Sequence, residues 1–366
     1  MKYIHEYRDR EHVRALSQAI GRTVSRPWHI MEICGGQTHA LVRYRLEELL
    51  PDKITLLHGP GCPVCVTPER LIDQAIRLSM QPGVALASFG DMLRVPGSES
   101  DLLRAKANGA DVRLLYSPLD AVQFAAETPD KEVVFFAIGF ETTLPVHLAA
   151  VKEAHRRRLT NFSLLTAFFT VPPAMEAILS DASCAVNGFL AAGHVCSVTG
   201  TSAYYPLAAK YRTPIVITGF EPSDLLLGIY RCVCQLEAGK GAVENAYKRA
   251  VPEEGNPHAR ALIADMLEPC DAHWRGIGQI PQSGMQLREA YQTYDAAKRF
   301  ALPALAPAMP ASGATCIAGE IMQGRKQPAQ CPHFGNACRP EHPLGAPMVS
   351  AEGVCRNYIS KIKETI

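Results

Sequence analysis

The sequence predicts an α/β protein with two parallel-sheet domains, followed by a cysteine-containing carboxyl-terminal region. Three observations predict this arrangement. Short apolar runs alternate with helical patterns from about residue 28 to residue 236, a proline-rich stretch follows, and four cysteines are grouped after residue 312. Continuous apolar strands separated by helices of roughly 10 to 15 residues are typical of parallel sheets covered on both faces.

The composition is that of a globular protein. The chain has 366 residues, of which 47% are hydrophobic and 20% are charged, and at roughly 100 to 200 residues per domain this length predicts two or three domains. The formal net charge of +1 is spread without long runs of one sign, which argues against nucleic acid or anionic lipid as a partner. Because the amino terminus is charged and no run of about 18 apolar residues occurs, we expect a cytoplasmic protein without a membrane span.

Eight apolar runs are predicted to be strands. They are WHIMEIC (28–34), ITLLHG (54–59), VALASFG (84–90), VRLLYS (112–117), VVFFAIGF (133–140), FSLLTAF (162–168), GFLAAGH (188–194) and PIVITGF (214–220). Eight strand–helix units exceed one ordinary open sheet, so the spacing favours two α/β domains of about four strands each, over residues 1–130 and 131–240. A single barrel is the competing interpretation, and the end of the alternation after residue 240 argues against it.

The region 241–366 has a different pattern. HARALIADML (258–267) has helical periodicity, WRGIGQIPQSGMQL (274–287) predicts a short strand pair, and ALPALAPAMPASG (301–313) has the composition of a linker. The tail beyond the linker is too poor in apolar periodicity to form a core of its own. We therefore expect another element to hold the tail together.

Cys34 is the first candidate for chemistry, because it lies between the first strand and a helix predicted to begin near Thr38. Helix-terminal N–H groups lower the pKa of a nearby thiol and favour the thiolate, which attacks electrophiles and binds metals. Gly35 and Gly36 allow the backbone to come close to a ligand. His39 is a candidate second ligand or proton donor, with a structural histidine as the alternative.

Cys62 and Cys65 form a CxxC pair in the stretch HGPGCPVC (58–65), at the end of the second strand. All three thiols are therefore predicted at one edge of one sheet. CxxC is a redox and metal-binding spacing because both sulfurs converge from a single turn. In a reducing compartment, clustered cysteines indicate metal or redox chemistry more than structural disulfides; two small buried side chains in a rigid loop are the structural alternative.

Polar residues after later strands are predicted to join the same edge. FGDMLRVPG (89–97) supplies Asp91 and Arg94, and Asp91 is predicted either to hold a histidine or a metal-bound water by a hydrogen bond or to cap a helix. A weakly repeated motif, GFETT (139–143) and GFEPSD (219–224), separately supports the division into two domains, and each copy places a glutamate at a strand's carboxyl end, where open α/β sheets bind ligands. A helix-capping carboxylate is the alternative for each glutamate.

Four cysteines in the tail predict an iron–sulfur site. Cys316, Cys331, Cys338 and Cys355 are separated by 14, 6 and 16 residues, unlike the paired CxxC knuckles of zinc ribbons. We therefore predict a [4Fe–4S] cluster, which can replace the missing apolar core. The remaining five cysteines are interpreted as core residues, and Cys196 is kept in view because His194 stands beside it at a strand end. They are Cys184, Cys196, Cys232, Cys234 and Cys270.

Seven motifs occur together and in order over nearly the whole chain: CGGQTHAL, HGPGCPVC, GDMLRVPG, GFETT, GFEPSD, CPHFGNAC and SAEGVC. With them the chain closely resembles the HypD family of [NiFe]-hydrogenase maturation proteins. The resemblance implies two α/β domains facing a cleft and a third region with a [4Fe–4S] cluster. It also implies a scaffold on which the Fe(CN)2CO unit is assembled, together with the small chaperone HypC and with HypE, which delivers cyanide.

The resemblance also implies roles for particular residues. Cys34 corresponds to the thiolate that holds the transient Fe(CN)2CO iron together with a cysteine of HypC, and Cys62 and Cys65 correspond to a redox pair between that iron and the cluster. Two positions depart from the family pattern. Gln37 stands where the motif commonly has histidine in CGGHTH, and Ala318 stands where a second cysteine is frequent in CxCGE.

Two other functions remain open at this point. One is a self-contained thiol–disulfide oxidoreductase that uses Cys62 and Cys65. The other is a small-molecule binding protein whose cleft closes on a ligand and whose cysteines hold structural zinc. The sequence does not decide whether the protein is an enzyme. Soft thiolates suit an Fe(II) that carries strong-field diatomic ligands, which agrees with the assembly role.

Overall fold

The computed structural model describes residues 5–305 and 316–365. All eight predicted runs form strands, and two parallel sheets confirm the predicted fold class. The predicted helix and strand pair of the third region are also present, as Pro257–Met266 and as the antiparallel strands Leu267–Trp274 and Gly278–Leu287. The predicted linker is described only as far as residue 305, and the rest of it lies outside the described residues.

The strands are β1 Trp28–Glu32, β2 Ile54–His58, β3 Val84–Ser88, β4 Val112–Leu114, β5 Glu132–Gly139, β6 Phe162–Phe168, β7 Gly188–Ala192, β8 Ile215–Thr218, β9 Val243–Asn245, β10 Leu267–Trp274 and β11 Gly278–Leu287. The α-helices are α1 Arg10–Thr23, α2 Gly35–Arg43, α3 Pro63–Val66, α4 Glu69–Ser79, α5 Leu102–Ala107, α6 Pro118–Glu127, α7 Leu144–Arg156, α8 Val171–Ser180, α9 Gly193–Thr199, α10 Tyr204–Tyr211, α11 Pro222–Glu237, α12 Pro257–Met266, α13 Ala296–Arg299, α14 Ala318–Met322 and α15 Val354–Thr365. Short 3-10 helices span His5–Arg8, Leu46–Leu49, Gly90–Arg94, Glu289–Tyr294, Pro328–Gln330 and Ala346–Met348.

The chain builds the two sheets in an interleaved order. The first sheet has the order β2-β1-β7-β8-β9 and the second has the order β4-β3-β5-β6, all parallel. The prediction that the first four strands share one sheet and the next four the other was wrong. The chain leaves the first sheet after β2, completes the second, and returns so that β7 pairs with β1. Apolar runs with the same local pattern do not reveal which runs become neighbours.

The strands are buried on both faces, as continuous apolar runs require. Ile30 and Met31 of β1 are both fully buried but belong to different cores, because successive side chains of a strand point to opposite faces. Ile30 packs in the core that α1 and α11 cover, where Ile20 is also fully buried. Burial of one such aliphatic side chain contributes roughly 1.5–3 kcal/mol.

The third region packs against both sheets and folds back over the first. Trp274 of β10 is fully buried, donates from Nε1 to Ser283 Oγ at 2.8 Å, and stacks on Phe140 and Phe169. In the tail, α14 packs on β2 and α15 packs on α2. The tail also has a small apolar core, in contrast to the prediction, formed by Ile321, Cys338, Met348, Val354, Cys355 and Ile359. Within the described residues, no helix combines the length and apolarity needed to cross a bilayer.

Candidate metal and redox site

Cys34 lies in the turn between β1 and α2. Its carbonyl accepts hydrogen bonds from the N–H groups of Gln37 (2.9 Å) and Thr38 (3.0 Å), so α2 begins at Gly35, earlier than the predicted start near Thr38. The N–H of Gly35 donates to the carbonyl of Gly61 at 3.0 Å, which ties this turn to the loop after β2. The thiol of Cys34 is consequently held at the carboxyl edge of the first sheet.

The buried side chain of Glu32 accepts hydrogen bonds from the turn that contains Cys34. The N–H of Cys34 donates to Glu32 Oε2 at 2.8 Å, the hydroxyl of Thr38 donates to Oε1, and His58 Nδ1 lies 2.8 Å from Oε1. Glu32 and His58 are almost completely buried. A buried carboxylate is tolerated when hydrogen bonds and a partner compensate for its lost hydration, so Glu32 is a structural anchor beneath Cys34.

The pKa of the Cys34 thiol is raised, and the prediction that the helix terminus lowers it was wrong. Burial raises this pKa most, and the nearby carboxylates of Glu352 and Glu32 raise it further. The backbone N–H groups of Gln37 and Gly36 act in the predicted direction but are outweighed. Without a bound metal, Cys34 is therefore a protonated thiol at neutral pH.

Two groups that sequence reasoning did not select face Cys34. Both ring nitrogens of His194 lie 3.9 Å from Cys34 Sγ, and the ring packs against Phe220 with centroids 5.1 Å apart. Burial lowers the pKa of His194 to about 4, so its imidazole is neutral at pH 7, which is the form that binds metals. Glu352 approaches from the tail, and its carboxyl pKa is raised by burial and then by Asp91, against a lowering by His39.

Cys62 and Cys65 form a disulfide, with their Cα atoms 5.2 Å apart. Cys62 is the N-cap of α3, and the N–H of Cys65 lies 3.2 Å from its sulfur. Both cysteines are buried. The structure brings Cys34, Cys62 and Cys65 to one edge of the first sheet because their strands, β1 and β2, are neighbours.

The tail covers the disulfide. A small cavity beside Cys62 and Cys65 is closed on its other sides mainly by tail residues, which are Met322, Pro347, Glu352 and Val354. Thr38 of α2 also lines it. The cavity therefore lies between the disulfide and the segment that carries Cys355, so these thiols belong to one continuous arrangement.

His39 and His58 both hold the tail in place. His39 Nδ1 lies 2.8 Å from Asn357 Oδ1, and His58 Nε2 lies 2.8 Å from the hydroxyl of Tyr358. The Tyr358 hydroxyl donates to Glu47. Both histidines thus contact side chains of α15. The contact of His39 agrees with its interpretation as a structural histidine.

Asp91 reaches the site from the other sheet. It lies in the 3-10 helix Gly90–Arg94, which follows β3 of the second sheet. The prediction that Asp91 shares the sheet edge of Cys34 was therefore wrong. Its negative charge nevertheless raises the pKa of Glu352. The two glutamates of the repeated motif behave as helix caps. Glu141 Oε1 accepts from the N–H of Val171 at the start of α8, at 2.8 Å, and Glu221 caps α11.

Four cysteines of the tail line one cavity, namely Cys316, Cys331, Cys338 and Cys355. The rest of the cavity wall is formed by Ile317, Ala318, Ile321, Phe334, Gly345, Pro347 and Met348. Their charges act on one another, since the other three thiols each raise the pKa of Cys355 after burial has raised it most. Ala318 also lines this wall but offers no metal ligand. Pro347 lines both this cavity and the one beside the disulfide.

The donor set of this cavity fits the predicted centre. Four thiols line an otherwise apolar wall, and cysteine thiolates are the usual ligands of iron–sulfur clusters. In the described part of the chain, no three His, Cys, Asp or Glu side chains are gathered in the geometry that a single metal ion requires.

The other five cysteines take no part in these cavities. Cys196 and Cys232 are buried, and Cys184, Cys234 and Cys270 are partly buried. Burial raises the pKa of Cys196 to about 12. These positions agree with their interpretation as core residues.

His194 and Glu352 were missed for different reasons. His194 is the last residue of the seventh apolar run, and only the pairing of β7 with β1 brings it next to Cys34. Glu352 lies in SAEGVC, and only the folding back of the tail brings it to Gly35. A glycine followed by a histidine at a strand end, and a glutamate close to a predicted cysteine ligand, were the signals available in the sequence.

The chain is similar to known proteins over nearly its whole length. The family described as "HypD: Hydrogenase formation hypA family" matches residues 11–361. "Hydrogenase maturation factor HypD" of Rhodobacter capsulatus is 44% identical over 367 residues, covering 98% of this chain and 97% of the relative. The protein of the same description from Escherichia coli (strain K12) is 43% identical over 365 residues, covering 97% and 96%, and that from Cupriavidus necator is 40% identical over 371 residues, covering 98% and 97%. This chain therefore belongs to the HypD family.

Proposed function

We propose that this protein acts in [NiFe]-hydrogenase maturation, as a scaffold with redox function on which the Fe(CN)2CO unit is assembled. Membership of the HypD family and the names of its relatives support the maturation role. The observation that carries the finer proposal is the continuity of the site. The Cys34 thiol, the Cys62–Cys65 disulfide and the four-cysteine cavity follow one another, with Glu352 and Pro347 between them.

Cys34 is the proposed anchor of the iron that is assembled. A thiolate is a soft ligand that suits Fe(II) with strong-field diatomic ligands. Because the thiol is protonated in the free protein, binding of the metal must release its proton. Glu352, whose carboxyl pKa is raised by burial, is a neighbouring group able to receive it, whereas the lowered pKa of His194 makes that imidazole a poor proton acceptor. A HypC-like chaperone supplies a second cysteine and a HypE-like protein delivers cyanide, in the cytoplasm.

The four-cysteine cavity is the proposed site of a resident [4Fe–4S] cluster held by Cys316, Cys331, Cys338 and Cys355. The thiols fit such a group because all four line one cavity with an otherwise apolar wall. When bound, the cluster supplies one-electron chemistry. The apolar side chains of the wall limit the access of water to this cavity, and Pro347 lines both this cavity and the one beside the disulfide.

The disulfide supplies a second redox group. Reduction of Cys62–Cys65 to two thiols takes two electrons and two protons, with cleavage of the S–S bond. Thr38 and Glu352 line the cavity beside it, so polar groups that can exchange protons stand next to the disulfide. Both cysteines are buried, which restricts the exchange to partners that reach this cavity.

Infrared spectroscopy tests the anchor. The protein is purified anaerobically with its HypC-like partner, and iron content and the cyanide and CO stretching bands are measured for wild type, Cys34→Ala and Cys184→Ala. We expect the bands and the associated iron to disappear in Cys34→Ala and to persist in Cys184→Ala, which removes a partly buried thiol outside the site. Unchanged bands in Cys34→Ala would reject the anchoring role.

A second function is favoured by the disulfide itself, namely a self-contained thiol–disulfide oxidoreductase. Its test is turnover of a small disulfide substrate by the protein alone. Because the tail covers Cys62 and Cys65, we expect no turnover without a partner. Turnover that is lost in Cys65→Ser and retained in Cys34→Ala would favour the oxidoreductase over the scaffold.

A further inference from the structure

Arg275 is a largely buried cation in the turn between β10 and β11. Its side chain is only 12% exposed. The guanidinium donates from Nη1 to the carbonyl of Pro96 at 2.9 Å and from Nη2 to Glu69 Oε1 at 2.8 Å. A guanidinium stays protonated in proteins, so this position carries a fixed positive charge inside the molecule.

The turn that carries Arg275 touches both proposed redox centres. The backbone N–H of Arg275 donates to the carbonyl of Val66 at 2.8 Å, and Val66 directly follows Cys65 in α3. The next residue, Gly276, packs backbone to backbone against Gly319 in α14. That helix begins two residues after Cys316, so the turn bridges the disulfide helix and the wall of the four-cysteine cavity.

The carboxylate of Glu69 offsets the positive charge of Arg275 only in part. The carboxylate of Glu69 is 50% exposed, so water screens it, whereas the guanidinium is buried and screened much less. On the cavity side, the turn that carries Arg275 lies against Gly319, the neighbour of Ala318, which lines the four-cysteine cavity. Asp73 is a further acidic group whose charge acts on Arg275.

We propose that Arg275 is a charge-compensating positioning residue for the four-cysteine cavity, where its fixed positive charge favours the more negatively charged, reduced state of the centre. The inference rests on the proposed function, in which this cavity holds a [4Fe–4S] cluster. Four thiolates and an added electron place negative charge in an apolar site, which is costly without compensation. The reduction potential of such clusters depends on net charge and on their surroundings.

The test is the midpoint potential of the cluster, followed by electron paramagnetic resonance in a redox titration of the full-length protein. Arg275→Met removes the charge and keeps the apolar stem. We expect its equilibrium constant for one-electron reduction to fall at least tenfold, a shift of about 59 mV to more negative potential. Glu69→Gln, which removes the opposing charge, is expected to shift the potential in the positive direction.

Two further variants separate charge from packing. Arg275→Lys keeps the charge but loses the forked hydrogen bonds, so we expect less than half of the Arg275→Met shift, whatever its effect on thermal stability. Lys326→Met removes an exposed cation that pairs with Glu320 of α14, and we expect the wild-type potential.

Several results would overturn the inference. They are a wild-type potential in Arg275→Met, an equal shift in Lys326→Met, or, if Arg275→Met does not fold, a wild-type potential in Glu69→Gln. Iron and acid-labile sulfide are measured in every sample. Their absence from the wild-type protein would overturn the proposed cluster together with the inference, whereas a cluster with an unchanged potential would overturn the inference alone.

Discussion

Individual buried side chains at the sheet edges have protonation states that local sequence does not indicate. Cys34 has the helix terminus that lowers a thiol pKa, but burial and two carboxylates raise it. His194 has its pKa lowered to about 4 by burial. Such a neutral thiol and neutral imidazole side by side form a site that gives up a proton when a metal binds.

Glu141 has a pKa raised to about 7, mainly by burial. Its Oε1 caps α8, and within the described residues no group donates a hydrogen bond to Oε2. Because the folded state holds this proton more tightly than the unfolded state, the stabilisation is complete below the ordinary pKa near 4.5 and is lost as the pH rises through 7. The effect is about 3 kcal/mol at most.

We therefore expect the free energy of unfolding of wild type, relative to Glu141→Gln, to decrease between pH 5 and pH 8 in urea titrations. His147 and His194 have pKa values lowered to about 4 by burial, so they produce the opposite slope. They do so in both proteins, and their contribution cancels in the difference. A difference that stays constant with pH would contradict the assignment.

Tyr358 provides a second prediction at the residue scale. Its hydroxyl contacts His58 and donates to Glu47, so Tyr358→Phe leaves a buried histidine nitrogen without this partner. We expect a loss of about 1–3 kcal/mol in the free energy of unfolding. The control is Tyr205→Phe, at an exposed tyrosine whose hydroxyl has one long contact of 3.5 Å to Glu253. Equal effects of the two substitutions would contradict a role of the His58 contact.

At the scale of elements, the loop after β2 and the turn after β1 are packed backbone against backbone. A Cβ on Gly61 would overlap the backbone of Ile33 and Cys34. We expect Gly61→Ala to destabilise the protein by about 1–3 kcal/mol, because neither strand end is free to move away. The measurement is denaturant unfolding.

Gly21 is the matched control for Gly61. It lies in α1, and a Cβ there would meet no atom within 4 Å. Gly21→Ala is expected to stabilise the protein by about 0.5–1 kcal/mol, since alanine has the higher helix propensity. Destabilisation by both substitutions to a similar extent would show that backbone contact at Gly61 is not the cause.

The start of α11 clamps the amino-terminal segment. Arg249 donates to both carboxylate oxygens of the buried Asp224, and its guanidinium lies 3.7 Å from the ring centroid of Tyr7 and 4.4 Å from that of Tyr247. Arginine and lysine are not interchangeable in such a stacked, two-pronged pair. Asp224 is the last residue of GFEPSD, so this motif has a structural role in holding the amino-terminal segment against α11.

We expect Arg249→Lys to accelerate proteolytic cleavage in the amino-terminal segment several-fold, because lysine cannot bond both oxygens of Asp224 and stack at the same time. Limited proteolysis with mass spectrometry measures this. The control is Arg231→Lys, because Arg231 forms an exposed ion pair with Glu244. We expect the protease to cleave this variant at the wild-type rate. Wild-type cleavage of Arg249→Lys would contradict the clamp.

At the scale of the whole molecule, the interleaved sheets make the first sheet depend on distant parts of the chain. β1 and β2 pair with each other, but β1 also needs β7, which lies more than 150 residues later. We expect a fragment of residues 1–130 not to unfold cooperatively in denaturant, because β1 would lack one neighbour and the buried faces of its sheet would be open. A cooperative transition of this fragment, comparable to that of the full chain, would contradict this dependence.

Much of the architecture could be predicted because it depends on residue patterns within short stretches of the sequence. Eight apolar runs form strands, and Cys34, Cys62 and Cys65 reach one edge because β1 and β2 are adjacent both in sequence and in space. The grouping of the four tail cysteines also followed from their proximity in sequence. Asp91 shows where such reasoning stops, because its strand joins the other sheet.

The sequence by itself determined the strands, the thiol-bearing loops and the family, since these depend on residue type and spacing along a short stretch. Tertiary structure decided which strands are neighbours, that His194 and Glu352 face Cys34, that His39 and His58 hold the tail, and that the turn of Arg275 lies between the disulfide helix and the four-cysteine cavity. These features arise from contacts between residues far apart in the chain. Protonation of Cys34 belongs with them, because burial sets it and burial exists only after the chain has folded.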